Sequence, residues 1–305
     1  MALSSRGGSP RGFGLVLMQG KRPVIATVRL MNTLSEHGVG QQVRAAPRAV
    51  PASVDLSGKI ALVTGASSGL GRHFVKVLAR AGATVAGAAR RLDRLEGLAD
   101  ECRAEDQRML PVQADVTQRA SVERALRQIE AEAGPVNVLV NAAGLSINKS
   151  FLEHEDDDFE LVMSTNLEGT WRASQLVARR LVADGEPGTI INVASIFGHR
   201  VAKNASSYCA SKAAVLHLTR ALSLELARHG IRVNALSPGL FDTEMTHHMF
   251  GDHGFAESMV GRTPCRRAGE YADLDGALLL LASDASRFMN GSVIVVDGGI
   301  LNGSL

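Results

Sequence analysis

From residue 55 onward, short continuous apolar runs alternate along the chain with amphipathic stretches. The runs are rich in β-branched residues and are bounded by turn-forming residues. Strands buried on both faces have this continuous apolar character, because neither side of the strand meets water. The pattern therefore predicts strands at residues 60–64, 84–88, 109–113, 136–141, 189–193, 232–236 and 293–296.

Between the apolar runs lie stretches with the spacing of amphipathic helices. The clearest helical stretches cover residues 72–80, 122–133, 159–183 and 207–228. Regular alternation of strand and helix is typical of a parallel, doubly wound sheet with helices on both faces. The sequence therefore predicts a single α/β domain over residues 51–305.

The first 50 residues differ from the rest of the chain in charge and in composition. They hold seven Arg or Lys residues and one Glu, a net of +6, and are interrupted by Gly and Pro. We expect a poorly ordered basic extension, or residues that precede a true start at Met18 or Met31. A mitochondrial transit peptide is the alternative, since such peptides are rich in Arg and poor in acids.

Composition narrows the class of protein. The chain has 305 residues, of which 45% are apolar, so a disordered chain is excluded. A net charge of +2 gives no reason to expect nucleic-acid binding, and no run approaches the ~20 apolar residues that span a membrane. The three cysteines are odd in number and widely spaced, which favours a reducing, cytoplasmic location.

A glycine-rich turn directly follows the first predicted strand. It runs Thr64-Gly65-Ala66-Ser67-Ser68-Gly69-Leu70-Gly71, and a helix is predicted after it. Such a turn lets the backbone approach a pyrophosphate, which then lies at the helix N-terminus. A tight strand-to-helix turn without a ligand is the alternative interpretation.

The end of the second predicted strand indicates which dinucleotide is preferred. An acid here would bind the ribose 2′-hydroxyl of NAD, but the residue is Ala89, followed by Arg90 and Arg91. Guanidinium groups suit a 2′-phosphate, so we expect NADP(H), with NAD(H) also possible. Arg90 is the first candidate, because Arg91 could point to solvent; the alternative is that both arginines lie on a solvated helix start.

Candidate chemistry lies further along the chain. Tyr208 and Lys212 are four residues apart on a predicted helix and share one face. A phenol needs a nearby cation to work as an acid or base at neutral pH, and Lys212 could supply it. Ser195 ends a strand and could bind a substrate oxygen. Asn166 lies inside a predicted helix, where Asn is unfavourable and its presence needs a local reason.

Taken in order, these motifs resemble the short-chain dehydrogenase/reductase family over roughly residues 55–300. The remaining motifs of the resemblance are Asp115-Val116, Asn141-Ala142-Ala143-Gly144, Pro238-Gly239 and Asp297-Gly298-Gly299. The resemblance implies a Rossmann-like sheet of about seven strands and a nicotinamide cofactor. Within the family, the chain is similar to bacterial 3-oxoacyl-thioester reductases and sugar-alcohol dehydrogenases.

The resemblance also implies roles for single residues. Tyr208 would be the general acid/base, Lys212 would lower its pKa and hold the nicotinamide ribose, Ser195 would orient the substrate, and Asn166 would position a water. Asp115 and Val116 would meet the adenine, Asn141 the adenosine side, and Phe241 and Thr243 the carboxamide. The implied cofactor-binding set is Gly65, Ser67, Ser68, Gly69, Leu70, Gly71, Arg90, Arg91, Asp115, Val116, Asn141, Ala142, Gly144, Tyr208, Lys212, Pro238, Gly239, Phe241 and Thr243.

Two regions depart from the family pattern or invite another interpretation. Ala142 stands where the family usually has a second Asn, and Phe241 where a branched aliphatic residue is usual. Residues 243–267 would form a solvated lid over the substrate. The lid holds His247, His248 and His253 with Asp252, but their spacing matches no usual ligand pattern, so we expect no metal.

The sequence thus predicts an NADP(H)-preferring oxidoreductase that acts on a carbonyl or secondary alcohol. A non-catalytic NADP(H) sensor or scaffold of the same fold is the alternative, although such a protein has no need to keep Asn166, Ser195, Tyr208 and Lys212. The resemblance further implies a homotetramer or homodimer that binds a small-molecule substrate. The substrate itself is beyond what the sequence indicates.

Overall fold

The structure is a computed structural model. It describes residues 17–18, 23–24, 54–247, 250 and 253–303. The chain divides into two compact units, Met1–Val50 and Pro51–Leu305. In the first unit, strands β1 (Leu17–Met18) and β2 (Pro23–Val24) pair antiparallel. The other residues of the basic extension lie outside the described residues.

The second unit is built on a seven-stranded sheet in which every neighbouring pair of strands is parallel. The strand order across the sheet is β5-β4-β3-β6-β7-β8-β9. The expected Rossmann-like fold is therefore confirmed. The strands are β3 (Ile60–Thr64), β4 (Thr84–Ala89), β5 (Met109–Gln113), β6 (Val138–Asn141), β7 (Gly188–Val193), β8 (Ile231–Pro238) and β9 (Val293–Val296).

Helices connect the strands and cover both faces of the sheet. They are α1 (Gly69–Arg80), α2 (Leu92–Ala104), α3 (Arg119–Glu132), α4 (Asp156–Met163), α5 (Gly169–Asp184), α6 (Ser206–Leu226), α7 (His253–Arg262) and α8 (Asp275–Ala282). Sequence analysis gave no range for α2, whose buried stripe is narrow among many charged residues, although it offered a helix start at Arg90 and Arg91 as an alternative. The single helix predicted over residues 159–183 is wrong in one respect, because a π-helical turn at Ser164–Glu168 separates α4 from α5.

Two hydrophobic cores lie on opposite faces of the sheet. One core packs α1, α2 and α8 against side chains such as Val63 and Val140, and the other packs α3 and α5 against Leu62 and Leu139. Successive strand residues thus enter different cores, as the two-residue repeat of a strand requires. Both faces are buried, which is why the strands lack alternating polarity in the sequence.

The topology fixes where a ligand can bind. Strands β3 and β6 are neighbours, although β4 and β5 follow β3 along the chain and lie on its other side. Crevices of doubly wound sheets open at the carboxyl ends of the strands at such a reversal of strand order. Within the described part of the chain, no helix has the length and apolar character needed to span a membrane.

Candidate active site

A cavity of about 500 Å³ opens above the carboxyl ends of β3, β4, β6, β7 and β8. Its wall contains most of the residues that sequence analysis proposed. These are Gly65, Ser67, Ser68, Gly69, Leu70, Gly71, Arg90, Arg91, Asp115, Val116, Ala142, Gly144, Ser195, Tyr208, Lys212, Pro238, Gly239, Phe241 and Thr243. Asn141 and Asn166 are not part of the wall.

The glycine-rich turn forms one end of the cavity. Gly65 has a φ of +71°, and a Cβ atom there would lie 2.7 Å from Cα of Ala143. A Cβ on Gly71 would meet the carbonyl of Gly65, and α1 begins at Gly69. The turn therefore needs glycine for close backbone packing and presents the N-terminus of α1 to the cavity. This cradle fits the pyrophosphate of a dinucleotide.

The loop after β6 is tied to this turn by the Thr64 hydroxyl. Its Oγ1 accepts hydrogen bonds from the backbone N–H groups of Ala142 and Ala143, both at 3.2 Å. The side chain of Asn141, at the end of β6, turns away from the cavity. Its Nδ2 donates to Oγ of Ser174 and to Oδ1 of Asn192, each at 2.9 Å. Asn141 thus fastens β6 to β7 and α5 within the protein.

Asp115 and Val116 lie in the cavity wall next to the glycine-rich turn. The Asp115 carboxylate accepts hydrogen bonds from the backbone N–H of Thr117 at 2.9 Å and from its hydroxyl at 2.7 Å. The carboxylate thereby fixes its own loop. Both bonds go to Oδ1, so Oδ2, the backbone and the apolar Val116 side chain are left for a ligand.

The two arginines after β4 differ in their contacts. Arg90 is exposed, whereas Arg91 lies against the glycine-rich turn, with Nη2 3.0 Å from Oγ of both Ser67 and Ser68. Sequence reasoning placed Arg90 first, but Arg91 has the closer position. Arg91 stands at the N-cap position of α2 but makes no side-chain capping bond, and its guanidinium contacts the turn before α1 instead.

A residue that sequence analysis missed, Glu244, joins this end of the cavity. Its carboxylate contacts both Nη atoms of Arg91, at 3.1 and 3.0 Å, and Nη1 of Arg94 at 3.0 Å. These bonds, that from Arg91 foremost, lower the pKa of Glu244 to about 2. No local motif marks Glu244, because its partners are about 150 residues away in the sequence.

Helix α6 carries Tyr208 and Lys212 into the other end of the cavity. Lys212 is 5% exposed; its Nζ donates to the carbonyl of Val193 at 2.8 Å and lies 5.7 Å from the centre of the Tyr208 ring. Burial lowers the pKa of Lys212 to about 8. A lysine with this pKa is still mostly protonated at pH 7 and can exchange its proton near neutral pH.

Burial and a neighbouring hydroxyl act in opposite directions on the pKa of Tyr208. Burial raises the pKa of Tyr208, and a hydrogen bond with Ser195 opposes this increase. Lys212 Nζ lies 5.7 Å from the centre of the Tyr208 ring and is bonded to the Val193 carbonyl, and its expected lowering of the Tyr208 pKa stays a prediction. A raised pKa keeps the phenol protonated but makes it a weaker acid, so proton transfer from Tyr208 needs a group that stabilises its phenolate.

The π-helical turn places Asn166 directly behind the lysine. Asn166 is fully buried; its Oδ1 accepts from the backbone N–H of Leu145 at 2.8 Å, and its Nδ2 donates to the Leu145 carbonyl at 2.9 Å and to Oγ of Ser211 at 3.0 Å. A Cβ on Gly144 would lie within 3.5 Å of both Asn166 Oδ1 and Lys212 Nζ. Asn166 thus fixes the loop that borders Lys212.

The segment after β8 closes the remaining side of the cavity. Phe241 is buried and pairs with Gly269 in an isolated parallel bridge, and the Thr243 side chain lies in contact range of Gly69. Part of the expected lid at residues 243–267, including His248 and Asp252, lies outside the described residues. Among the residues that the structure describes, no group of three or more His, Cys, Asp or Glu could hold a metal.

Comparison with known proteins gives consistent relatives. A family model described as short chain dehydrogenase matches residues 59–253. Gluconate 5-dehydrogenase of Gluconobacter oxydans is 37% identical over 82% of this chain and 97% of its own, and human L-xylulose reductase is 38% identical over 80% and 97%. A crystal structure of a gluconate 5-dehydrogenase from Burkholderia cenocepacia, in complex with NADP and tartrate, superposes with a TM-score of 0.79 at 35% identity, over 82% of this chain and 98% of that one.

Proposed function

Because this chain belongs to the short chain dehydrogenase family, we propose that it interconverts a polyhydroxylated ketone and the matching secondary alcohol, using NADP(H). The chain is an enzyme, an NAD(P)(H)-dependent oxidoreductase that acts on carbonyl or secondary alcohol groups. The polyhydroxylated substrate is the finer part of the proposal. It is supported by the relatives, among which are gluconate 5-dehydrogenase and L-xylulose reductase.

The observation that carries the reaction is that the hydroxyls of Ser195 and Tyr208 both line the cavity, beside buried Lys212. When bound, the nicotinamide supplies or accepts the hydride. In the direction of reduction, Ser195 binds and orients the carbonyl oxygen, and Tyr208 donates the proton from its Oη to that oxygen. Tyr208 has the proton to give because a phenol is protonated at neutral pH.

Lys212 supports this proton transfer. Its ammonium lies over the Tyr208 ring and stabilises the negative charge that develops on the phenol oxygen as the proton leaves. Asn166 positions the lysine indirectly, since it fixes the backbone of residue 145 beside it. In the oxidation direction the same groups act in reverse, with ionised Tyr208 accepting the proton of the alcohol.

Cofactor binding is assigned to the opposite end of the cavity. The glycine-rich turn holds the pyrophosphate at the N-terminus of α1, and Arg91 binds the 2′-phosphate together with the hydroxyls of Ser67 and Ser68. Arg91 already donates to both hydroxyls. Structural neighbours with bound NADP support this cofactor.

The experiment that tests the reaction follows NADPH absorbance while a panel of keto sugars and keto sugar acids is offered. Tyr208→Phe keeps the ring but removes the acid, so turnover on the best substrate should fall by about 10²–10⁴-fold, while NADPH binding persists. The matched control is Tyr271→Phe, since Tyr271 is the other tyrosine of the chain and packs against His73. Near-normal turnover of Tyr208→Phe would overturn the assignment.

We also propose a homotetramer or homodimer. Support comes from large apolar side chains that remain exposed on α4, on α5 and on the edge strand β9, namely Phe159, Trp171 and Val295.

A cytoplasmic location is proposed because Cys102, Cys209 and Cys265 are free thiols, which persist in reducing compartments. The mitochondrial matrix is the alternative if residues 1–50 act as a transit peptide.

A further inference from the structure

The Arg91 guanidinium is already bound to an anion of the protein itself. Its two Nη atoms contact the two carboxylate oxygens of Glu244 at 3.1 and 3.0 Å. This is the two-point geometry that carboxylate and phosphate groups both form with arginine. Glu244 comes from the segment after β8, whereas Arg91 follows β4, so the ion pair joins the two sides of the cavity.

We propose that Glu244 is a specificity-determining residue, whose carboxylate occupies Arg91 and must be displaced by the 2′-phosphate when NADP(H) binds. The inference rests on the proposed role of Arg91 as the 2′-phosphate site. Its consequence is that Glu244 weakens the binding of NADP(H) but has little effect on NAD(H), which lacks this phosphate. The chain therefore prefers NADP(H) less strongly than its arginines alone would allow.

The donors of Arg91 are nearly all engaged. Nε and Nη2 lie 3.2 and 3.0 Å from Oγ of Ser67, Nη2 is also 3.0 Å from Oγ of Ser68, and both Nη atoms contact Glu244. A guanidinium has five N–H groups. A phosphate can therefore form a two-point contact with Arg91 only where the carboxylate now lies, because the serine hydroxyls occupy the other edge.

Charge also separates the two anions. A carboxylate and a phosphate within hydrogen-bond distance of one guanidinium repel each other, and one arginine neutralises only one unit of charge. Asp93 adds further negative charge near Arg91. Arg94, whose Nη1 is 3.0 Å from Glu244 Oε1, provides a place for the displaced carboxylate. The exchange therefore leaves neither anion without a partner.

The exchange also reaches the rest of the cavity, because Glu244 directly follows Thr243. The Thr243 side chain lies in contact range of Gly69 at the glycine-rich turn. The Thr243 backbone N–H donates to Oγ1 of Thr246 at 2.9 Å, which fixes the backbone there. Release of Glu244 thus loosens the attachment of this segment to the start of α2. The segment that carries Thr243 and Glu244 should consequently make different contacts with NADP(H) bound than with NAD(H) bound.

The test measures dissociation constants of NADPH and NADH by fluorescence titration for the full-length protein and for Glu244→Gln. Glutamine keeps the size and hydrogen-bonding reach of the side chain but removes its charge. We expect NADPH to bind about tenfold more tightly, because the phosphate then gains one charge-assisted contact without competing against a carboxylate. The dissociation constant of NADH should change by less than about twofold. The matched control is Glu96→Gln, the same change at an exposed position of α2, which should alter neither constant.

A second pair of variants separates displacement from simple repulsion. In Arg91→Ala, the further change Glu244→Gln should alter NADPH binding by less than about twofold, because the shared guanidinium is gone. If Glu244→Gln increases NADPH affinity equally with and without Arg91, the proposal is overturned. The carboxylate would then act only by electrostatic repulsion of the phosphate and not by occupying Arg91. Weaker or unchanged NADPH binding in Glu244→Gln would overturn it as well.

The same variants distinguish this inference from the cofactor site on which it rests. If Arg91→Ala alone leaves the ratio of NADPH to NADH affinity unchanged, the assigned 2′-phosphate site is wrong, and the inference falls with it. If Arg91→Ala lowers the ratio but Glu244→Gln fails to raise it, the cofactor site stands and only the role of Glu244 is refuted.

Discussion

The two ends of the cavity hold their charges in opposite ways. At the catalytic end, Lys212 is 5% exposed and has a pKa lowered to about 8 by burial. At the glycine-turn end, the Arg91 side chain is 41% exposed, and its pKa is raised by its hydrogen bond with Glu244. Protonation is thus controlled by desolvation at one end and by ion pairing at the other.

This difference indicates what each end can do. A buried charged group with few partners lowers the stability of the folded protein, because its charge is removed from water. Small changes around such a group alter its proton affinity strongly. A half-exposed ion pair is screened by water and exchanges partners at little cost. The buried end is therefore suited to proton transfer, and the exposed end to selecting one charged ligand over another.

The largest effect that separates the two ends is expected for Lys212→Met. Methionine fills a similar volume without the ammonium, so kcat should fall by about 10²–10⁴-fold, as for the loss of an acid/base partner. The protein should not lose stability, because a cation whose pKa is lowered to about 8 by burial destabilises the folded state at neutral pH. Steady-state kinetics and thermal unfolding at pH 7 measure the two quantities. A marked drop in Tm together with full kcat would contradict the comparison.

The next effect in size concerns the exposed end. Ala89→Asp combined with Arg90→Ala and Arg91→Ala places a carboxylate where it accepts ribose hydroxyls and repels a 2′-phosphate. The ratio of NADPH to NADH affinity should fall by about 10- to 100-fold, while kcat with saturating NADH stays near that of the wild type. Dissociation constants of both cofactors check this change.

Arg90→Ala alone is the control for that triple variant, since Arg90 is exposed and Arg91 has the closer contacts to the turn. We expect a change below about threefold in the ratio, as for a screened surface charge. If Arg90→Ala alone reproduces the whole shift, Arg90 rather than Arg91 binds the phosphate. Added salt should weaken the preference of the wild type, because the site is open to solvent.

A pH dependence should be confined to the catalytic end. Lys212 loses its proton as pH rises through about 8, so kcat for reduction should fall by about tenfold per pH unit above that value. The ratio of NADPH to NADH affinity should stay constant between about pH 7.5 and 9.5, because arginine and phosphate do not titrate there. A rate profile that stays flat to pH 10 would contradict the assigned role of Lys212.

The same lysine should affect stability in a defined direction. Its pKa is 10.5 when unfolded and about 8 when folded, so the unfolded state binds more protons between these values. The penalty of burying Lys212 is fully present below pH 8 and is relieved as pH rises to 10.5. Its contribution to the free energy of unfolding therefore increases with pH over this window.

Particular residues illustrate what could be predicted at each end. The cofactor-turn glycines and the pair Tyr208 and Lys212 were identifiable because each set lies within a few residues of sequence, where one turn or one helix fixes the geometry. Asn166 had a recognisable anomaly, an Asn inside a helical pattern, and the π-helical turn supplies its local reason. Asn141 carried no sign that its Nδ2 would donate to Ser174 and Asn192 rather than to a ligand.

The sequence by itself determined the alternation of strands and helices, the doubly buried sheet, the glycine cradle and the placing of Tyr208 and Lys212 on one helix. It could do so because apolar periodicity, backbone sterics and i, i+4 spacing act over short distances along the chain. Only the tertiary structure decided that Arg91 rather than Arg90 faces the turn, that Glu244 already occupies it, and that burial raises the pKa of Tyr208. These outcomes depend on desolvation and on contacts between residues far apart in the sequence, which no local pattern encodes.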